Sequence, residues 1–274
     1  MNLDGYALPI KKLKGTEPVE SLDLSGKNLG VASTIVIASL ISVNGSLTSL
    51  NVHSNSLGAE GAAALASALA AIGSLTSVDL SENHLTNRGR DMTGIKQLAA
   101  ALGVNGSLTA LDLSYNSFED EGLSAVCEAI QSNKETKLSS LNFKNNDIGP
   151  VGANAVAAMV AATGSLTSLD LSNNALCGMA TYGGGTYTAE GITAIANALR
   201  VNGSLTELSI YGNRVGDEGV GAICEAIQSN KETKLASLNF GYNGMGPVGA
   251  NAVAAMVAVT GSLTKMRYVR LKQT

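Results

Sequence analysis

Residues 47–73 read LTSLNVHSNSLGAEGAAALASALAAIG, and versions of this stretch recur along the chain. Leu47, Leu50 and Val52 set the spacing L-x-x-L-x-L, Asn55 follows three positions after Val52, and Leu57 two beyond that. The alternation predicts a short strand with Leu50 and Val52 turned inward and Thr48, Ser49, Asn51, His53 and Ser54 outward. At the bend that follows, the Asn55 amide is placed to satisfy backbone groups that the turn leaves unpaired. The alanine-rich remainder predicts a helix whose buried stripe is Gly61, Leu65, Ala68, Leu69 and Ile72. Glu60 falls in its first turn, where the helix dipole favours an anion, and Gly73 is expected in the left-handed position that ends it. One such unit cannot bury its own apolar face; a stack can.

The same spacing starts strands at Leu75, Leu108, Leu138, Leu166, Leu205, Leu235 and Leu263. It places Asn55, Asn83, Asn116, Asn146, Asn174, Asn213 and Asn243 at one turn position, which predicts an asparagine ladder. Most steps are 28 or 30 residues, but those from Leu75 and from Leu166 are 33 and 39. The excess falls between strand and helix, as TNRGRDMTG (86–94) and CGMATYGGGTYT (177–188). A longer period lies over the first. CEAIQSNKETKL and GPVGANAVAAMVA each occur twice, offset by 97 residues, so the chain reads as a duplicated three-repeat cassette. The expected organisation is an N-terminal cap over residues 1–18, eight repeats over 19–262, and a terminal strand and tail over 263–274. In the cap, Leu8, Ile10 and Leu13 are expected to run as an irregular strand across the open end of the core. In the first repeat Lys27 takes the asparagine slot and Asn28 follows it. Lys265, Arg267, Arg270 and Lys272 guard the last strand edge against pairing.

Composition narrows the function classes. The net charge is −4 across 274 residues, too small to point to nucleic acid or an anionic membrane surface. No run is long and apolar enough to span a bilayer. Cys127, Cys177 and Cys224 form an odd set without framework spacing and are expected as reduced thiols. With no signal-peptide pattern in the first residues, the expected setting is cytoplasmic. Three Asn-Gly-Ser triplets, at Asn44, Asn105 and Asn202, match a glycosylation acceptor, but the same turn recurs as Ile72-Gly73-Ser74. The glycine therefore looks like the structural requirement, at a helix-to-strand turn.

Repeats of 28 to 30 residues carrying L-x-x-L-x-L-x-x-N-x-L, a glycine and an A-L-A-x-A-L helix resemble the ribonuclease-inhibitor-like class of leucine-rich repeat proteins, which includes the repeat domains of NOD-like receptors and Ran GTPase-activating proteins. The resemblance covers residues 19–271. It implies an α/β solenoid, a horseshoe with parallel strands on the concave face and helices on the convex one. Because that class is defined by core positions, it implies little about activity. The chain contains no G-x-x-x-x-G-K-[ST] run and ends basic rather than acidic.

The search for chemistry returns no catalytic or metal set and no cofactor fingerprint. His53 and His84 have no Cys or His at ligand spacing, the strand-end serines lack a histidine partner in sequence, and Gly183-Gly184-Gly185 is followed by no Lys-Ser/Thr pair. What stands out is a polar strand face. Asp23, Asp79, Asp112 and Asp170 share one strand position and form a broken acidic column, of which Asp79, Asp112 and Asp170 are the candidate site residues. Larger groups interrupt the small-residue carpet at Tyr115, Lys144, Tyr211 and Tyr242, just before the asparagine turn, and Tyr182 and Tyr187 flank the glycine-rich loop. Tyrosine gives large contact area at low entropic cost. The expectation is a non-catalytic protein–protein interaction module whose partner, another protein, meets this rim. Two alternatives share the fold: a GTPase-activating regulator, and a subunit docked in a larger assembly through its uncharged convex helices, whose outward residues would be Ala153, Asn154, Ala157, Ala158 and their counterparts in the second copy.

Overall fold

A computed structural model describes residues 2–179 and 184–267, Asn2 by its backbone alone. The chain divides into two compact units, Met1–Asn142 and Phe143–Thr274. The first opens with an antiparallel hairpin, β1 (Asn2–Leu3) and β2 (Tyr6–Ala7), and a single helical turn, α1 (Ile10–Leu13). It then alternates β3 (Ser21–Asp23), α2 (Val31–Ile41), β4 (Ser49–Asn51), α3 (Gly58–Ala71), β5 (Ser77–Asp79), α4 (Thr93–Leu102), β6 (Ala110–Asp112), α5 (Glu119–Ser132) and β7 (Ser140–Asn142). The second unit runs α6 (Pro150–Ala162), β8 (Ser168–Asp170), α7 (Glu190–Leu199), β9 (Glu207–Ser209), α8 (Gly216–Ser229), β10 (Ser237–Asn239), α9 (Pro247–Val259) and β11 (Lys265–Arg267). Each unit is a stretch of α/β solenoid, in which β3 to β7 of the first unit and β8 to β11 of the second pair in parallel, each strand with that of the adjoining repeat.

Register shows why three-residue strands suffice. In the first unit Leu22, Leu50, Val78, Leu111 and Leu141 are direct partners, and in the second Leu169, Leu208, Leu238 and Met266. These columns point into the core, where all but Met266 are buried. Each such leucine contributes about 1.5–3 kcal/mol on burial. The residue after each leads a second column: Asp23, Asn51, Asp79, Asp112 and Asn142, then Asp170, Ser209, Asn239 and Arg267.

The asparagine ladder is present, and all seven members are buried. Asn55 shows its chemistry. Its Oδ1 accepts the backbone N–H groups of Lys27 and Leu29 in the preceding repeat, and its Nδ2 donates to the carbonyls of Leu24, Val52 and His53. The backbone N–H of Asn55 donates in turn to Asn83 Oδ1, and that of Asn83 to Asn116 Oδ1. Asn174 serves Asn146 in the same way, and Asn243 serves Asn213.

Several expectations change. Gly73 is not left-handed: α3 ends as Ile72 swings to extended backbone at φ −87° and ψ 114°. The left-handed residues sit at the other turn, immediately before the ladder asparagine, at Ser54, Glu82, Tyr115, Asn145, Asn173, Gly212 and Tyr242. In the cap, Leu8 and Leu13 are buried as expected, but Ile10–Leu13 is helical, because Pro9 starts a turn in which Leu13 N–H returns to the Pro9 carbonyl. Asp4 then accepts the N–H groups of Gly30 and Ser33 at the start of α2. Ala153 and Ala157 are buried rather than outward, because α7 packs against that flank of α6. In the Asn-Gly-Ser turns it is the asparagine that is structural. The amides of Asn44, Asn105 and Asn202 are buried and donate to the carbonyls of Lys12 and Leu13, of Leu69 and of Val160 respectively. A committed, buried amide nitrogen is no glycan acceptor in the folded protein.

Candidate protein-binding face

The strand faces carry the candidate site. Their aspartates are first of all turn-formers: Oδ1 of Asp79, Asp112 and Asp170 accepts the backbone N–H two residues on, from Ser81, Ser114 and Ser172 at 2.8–2.9 Å. This Asx arrangement ends each strand. Asp112 also accepts from Asn142 Nδ2 at 2.8 Å, so neighbouring strands are tied along the column. All three aspartates stay half-buried.

On the first unit the structure joins two residues that the sequence kept apart. His53 Nδ1 lies 2.7 Å from Ser81 Oγ, and that hydroxyl donates to Asp79 Oδ1. Glu82 approaches His53 Nε2 at 3.5 Å. The order of groups differs from that of a nucleophile and base. The serine proton is already directed at a carboxylate, and Ser81 is 4% exposed, so no substrate carbonyl can reach it. Among the described residues no group of three His, Cys, Asp or Glu side chains is arranged to hold a metal ion.

The second unit holds a more developed surface. Tyr211 and Tyr242 lie with ring centroids 5.0 Å apart and planes tilted by 51°, a favourable offset for two rings. Two complementary triplets build the pair. Tyr211-Gly212-Asn213 is followed one repeat on by Gly241-Tyr242-Asn243, so glycine and tyrosine exchange slots. A Cβ on Gly241 would lie 2.7 Å from Tyr211 Cδ2; its absence lets the Tyr211 ring lie across the backbone toward Tyr242. Tyr242 is 63% exposed and occupies the left-handed region at φ 54°. A tyrosine costs about 1–2 kcal/mol in that conformation, and the equivalent slot holds glycine at 212 and asparagine at 145 and 173.

Beside the pair, β8 to β11 floor a groove of about 230 Å³. Two rows of side chains cross it in register, Ser168–Glu207–Ser237–Lys265 and Asp170–Ser209–Asn239–Arg267. Each passes from acid to base over two or three strand spacings of ~4.8 Å. No ion pair joins these acids and bases, which leaves both ends of the groove able to meet charge on a ligand.

The other expected site residues are placed as follows. Tyr115 is 40% exposed and left-handed on the first unit, in the slot equivalent to Tyr242. Lys144 is half-buried and shares its slot with Tyr211. Tyr187 is 39% exposed, but its hydroxyl donates to the Val215 carbonyl at 3.0 Å, tying the long loop to the start of α8. Burial, followed by the nearby Cys177 and Glu218, pushes that hydroxyl up to about 12. Tyr182 lies outside the described residues. Gly241 is the residue that sequence reasoning missed; the exchanged triplets are the signal that finds it.

Residues 43–66, 74–92, 104–127, 134–157, 201–224 and 231–254 match the leucine-rich repeat family. The chain therefore belongs to that family, and its repeats are of the ribonuclease-inhibitor-like kind. It is similar to mouse (Mus musculus) ribonuclease inhibitor, at 29% identity over a region covering 39% of this chain and 27% of that relative. Among solved structures it resembles the leucine-rich repeat-containing protein LegL7 from Legionella pneumophila, at 21% identity with a TM-score of 0.57, covering 98% of this chain and 89% of the other. Actin-binding site 2 of leiomodin-1 aligns over 55% of this chain and 84% of its own, at 17% identity and a TM-score of 0.47. No helix among the described residues is long and apolar enough to cross a membrane.

Proposed function

We propose that the protein is a non-catalytic binding module that holds a segment of another protein on the strand face of its second unit. The observation that carries this is the Tyr211–Tyr242 pair, assembled across a glycine and kept at a left-handed position where tyrosine is conformationally costly. Exposed aromatic area held rigid is the currency of protein recognition, because little side-chain entropy remains to be lost. The acid-to-base groove beside the pair favours a segment carrying a cation toward Asp170 and Glu207 and an anion toward Lys265 and Arg267. Lys144 repeats the Tyr211 slot within the second unit, while Tyr115, Asp79 and Asp112 lie on the first unit's own strand face. Three buried free thiols suit a reducing setting, which supports a cytoplasmic location.

The test begins with affinity capture from the source organism and continues with titration of the captured partner. Tyr211→Ala, Tyr242→Ala and Gly241→Ala are each expected to weaken binding by about fivefold or more, equivalent to about 1 kcal/mol. Thr48→Ala, on the quiet face of the first unit, leaves it unchanged. Equal affinity across all four variants refutes the tyrosine face.

A further inference from the structure

The tyrosine pair has a counterpart in the first unit that carries other side chains. Tyr211 stands two places before its ladder asparagine, and Tyr242 one place before the next. In the first unit the same two slots, again one repeat apart, hold His53 and Glu82, and Ser81 takes the place of Gly241. Where the glycine lets a ring lie across the strand, the serine holds one by a hydrogen bond: His53 Nδ1 is 2.7 Å from Ser81 Oγ. Glu82 is left-handed at φ 57°, as Tyr242 is at φ 54°. The strands that carry them, β4 and β5, are flanked by β3 and β6.

The proton positions on this pair follow from its partners. The Ser81 hydroxyl donates to Asp79 Oδ1, and Ser114 donates to Asp112 Oδ1 in the same way one repeat on, where serine occupies the histidine slot. A hydroxyl has one proton, so His53 Nδ1 is the donor to Ser81, and in the neutral ring Nε2 is then an acceptor. Nε2 faces Glu82 Oε2 at 3.5 Å, longer than the ~2.7–2.9 Å of a charge-assisted hydrogen bond. Two acceptors therefore stand side by side on the strand face, one neutral and one anionic, both partly exposed. Among the described residues no lysine or arginine lies within ion-pair distance of Glu82. The His53 backbone N–H donates to Asn51 Oδ1 at 2.8 Å, so the residue is held through its main chain as well as its ring. The other charged groups that act on the ring are Asp79, through Ser81, and Asp23 on β3, beside Lys27.

We infer that His53 Nε2 and Glu82 form a binding site for the guanidinium of an arginine side chain presented by another protein. One N–H of the planar fork donates to the imidazole and a second to the carboxylate, which two adjacent acceptors favour over the point charge of an ammonium. Acid closes the site: an imidazolium turns Nε2 into a donor, pairs with Glu82 itself and repels the incoming cation. The site lies on the first unit and uses neither Tyr211 nor Tyr242, so it stands or falls independently of the tyrosine face.

The probe is N-acetyl-arginine amide, titrated into the full chain while nuclear magnetic resonance follows both histidines, with the exposed His84 as internal reference. At about pH 8, above the ordinary histidine value of about 6.5, proton–nitrogen correlation spectra should place the His53 proton on Nδ1. Its signals should then move saturably with the probe while those of His84 do not. At about pH 5 the affinity should fall at least tenfold, roughly the worth of one charged hydrogen bond. Glu82→Gln, and N-acetyl-citrulline amide as an uncharged probe of the same shape, should each weaken binding by about fivefold or more. Tyr211→Ala should leave it unchanged. A His53 proton on Nε2 overturns the proposal, as does the absence of saturable movement, the result expected if the chain's own cation already fills the site. Equal affinity in acid, in Glu82→Gln or for the citrulline probe overturns it too, and so does loss of binding in Tyr211→Ala.

Discussion

Replacing Asn116 by alanine tests whether the ladder holds the repeats together. Its side chain is 1% exposed. Oδ1 accepts from the backbone N–H groups of Asn83 and Leu85, and Nδ2 donates to the carbonyls of Leu80, Leu113 and Ser114. Alanine strands two buried N–H donors, each costing about 1–3 kcal/mol when left unpaired. The carbonyls suffer less, since an oxygen keeps a second lone pair. Allowing for water entering the vacated space, the expected loss is about 2–4 kcal/mol. Asn28 is the control: it is exposed, falls outside the ladder slot and is left-handed at φ 54°. Asn28→Gly keeps that backbone conformation available and should change stability by no more than about 0.5 kcal/mol. Urea unfolding followed by far-ultraviolet circular dichroism measures both, with the slope checked for equality so that the midpoints can be compared. A loss at Asn116 no larger than that at Asn28 refutes the ladder as a source of stability.

Two further outcomes follow from burial and backbone strain. Burial pushes the Cys177 thiol up to about 11 and the Cys224 thiol up to about 12, and raises Cys127 as well, with Glu128 adding to the effect. The native protein should therefore react with none of its three thiols at mildly alkaline pH until denaturant is added, and reducing agent should leave Tm unchanged. Because folding raises these pKa values, stability is full below the ordinary thiol value of about 8.5 and falls as pH rises from there through the folded values. Cys177→Ala should flatten that decline; a wild-type Tm constant across this range would contradict it. Tyr242→Gly should relieve about 1–2 kcal/mol of left-handed strain while losing a ring pair worth about 0.5–1.5 kcal/mol. Thermal melts should thus place it within about 1 kcal/mol of wild type, although it removes a proposed anchor for the partner. A much larger loss would make Tyr242 a structural residue.

The ladder was legible in the sequence because one residue type does one job at one spacing: Asn55 and its six counterparts can be picked out without knowing their partners. Strand columns were legible for the same reason, since a leucine at Leu50 or Leu208 has a single buried direction. Helix flanks were not. The amphipathic-stripe argument assumes that only the sheet covers a helix, whereas α7 also covers a flank of α6, which is why Ala153 and Ala157 are buried rather than outward. Gly73 misled because glycine near a helix end usually marks left-handed backbone, while here the chain needs that conformation at the opposite turn. The tyrosine face was half legible. Tyr211 and Tyr242 are conspicuous one by one, but their contact depends on Gly241, a residue that means something only when two repeats are laid side by side. His53 and Ser81 are likewise 28 positions apart and meet only through strand register.

The ladder also has a direction. Within each unit the ladder asparagines accept N–H groups from the repeat before, as Asn55 does from Lys27 and Leu29, and Asn243 from Asn213 and Val215. A repeat leaving the ribosome therefore has its turn donors unmet until the next asparagine is synthesised, a full repeat later. During translation the newest complete turn is always the least finished one, and it is closed by sequence not yet made. Within a unit the hydrogen bonds thus run one way, each such asparagine closing the turn of the repeat before it.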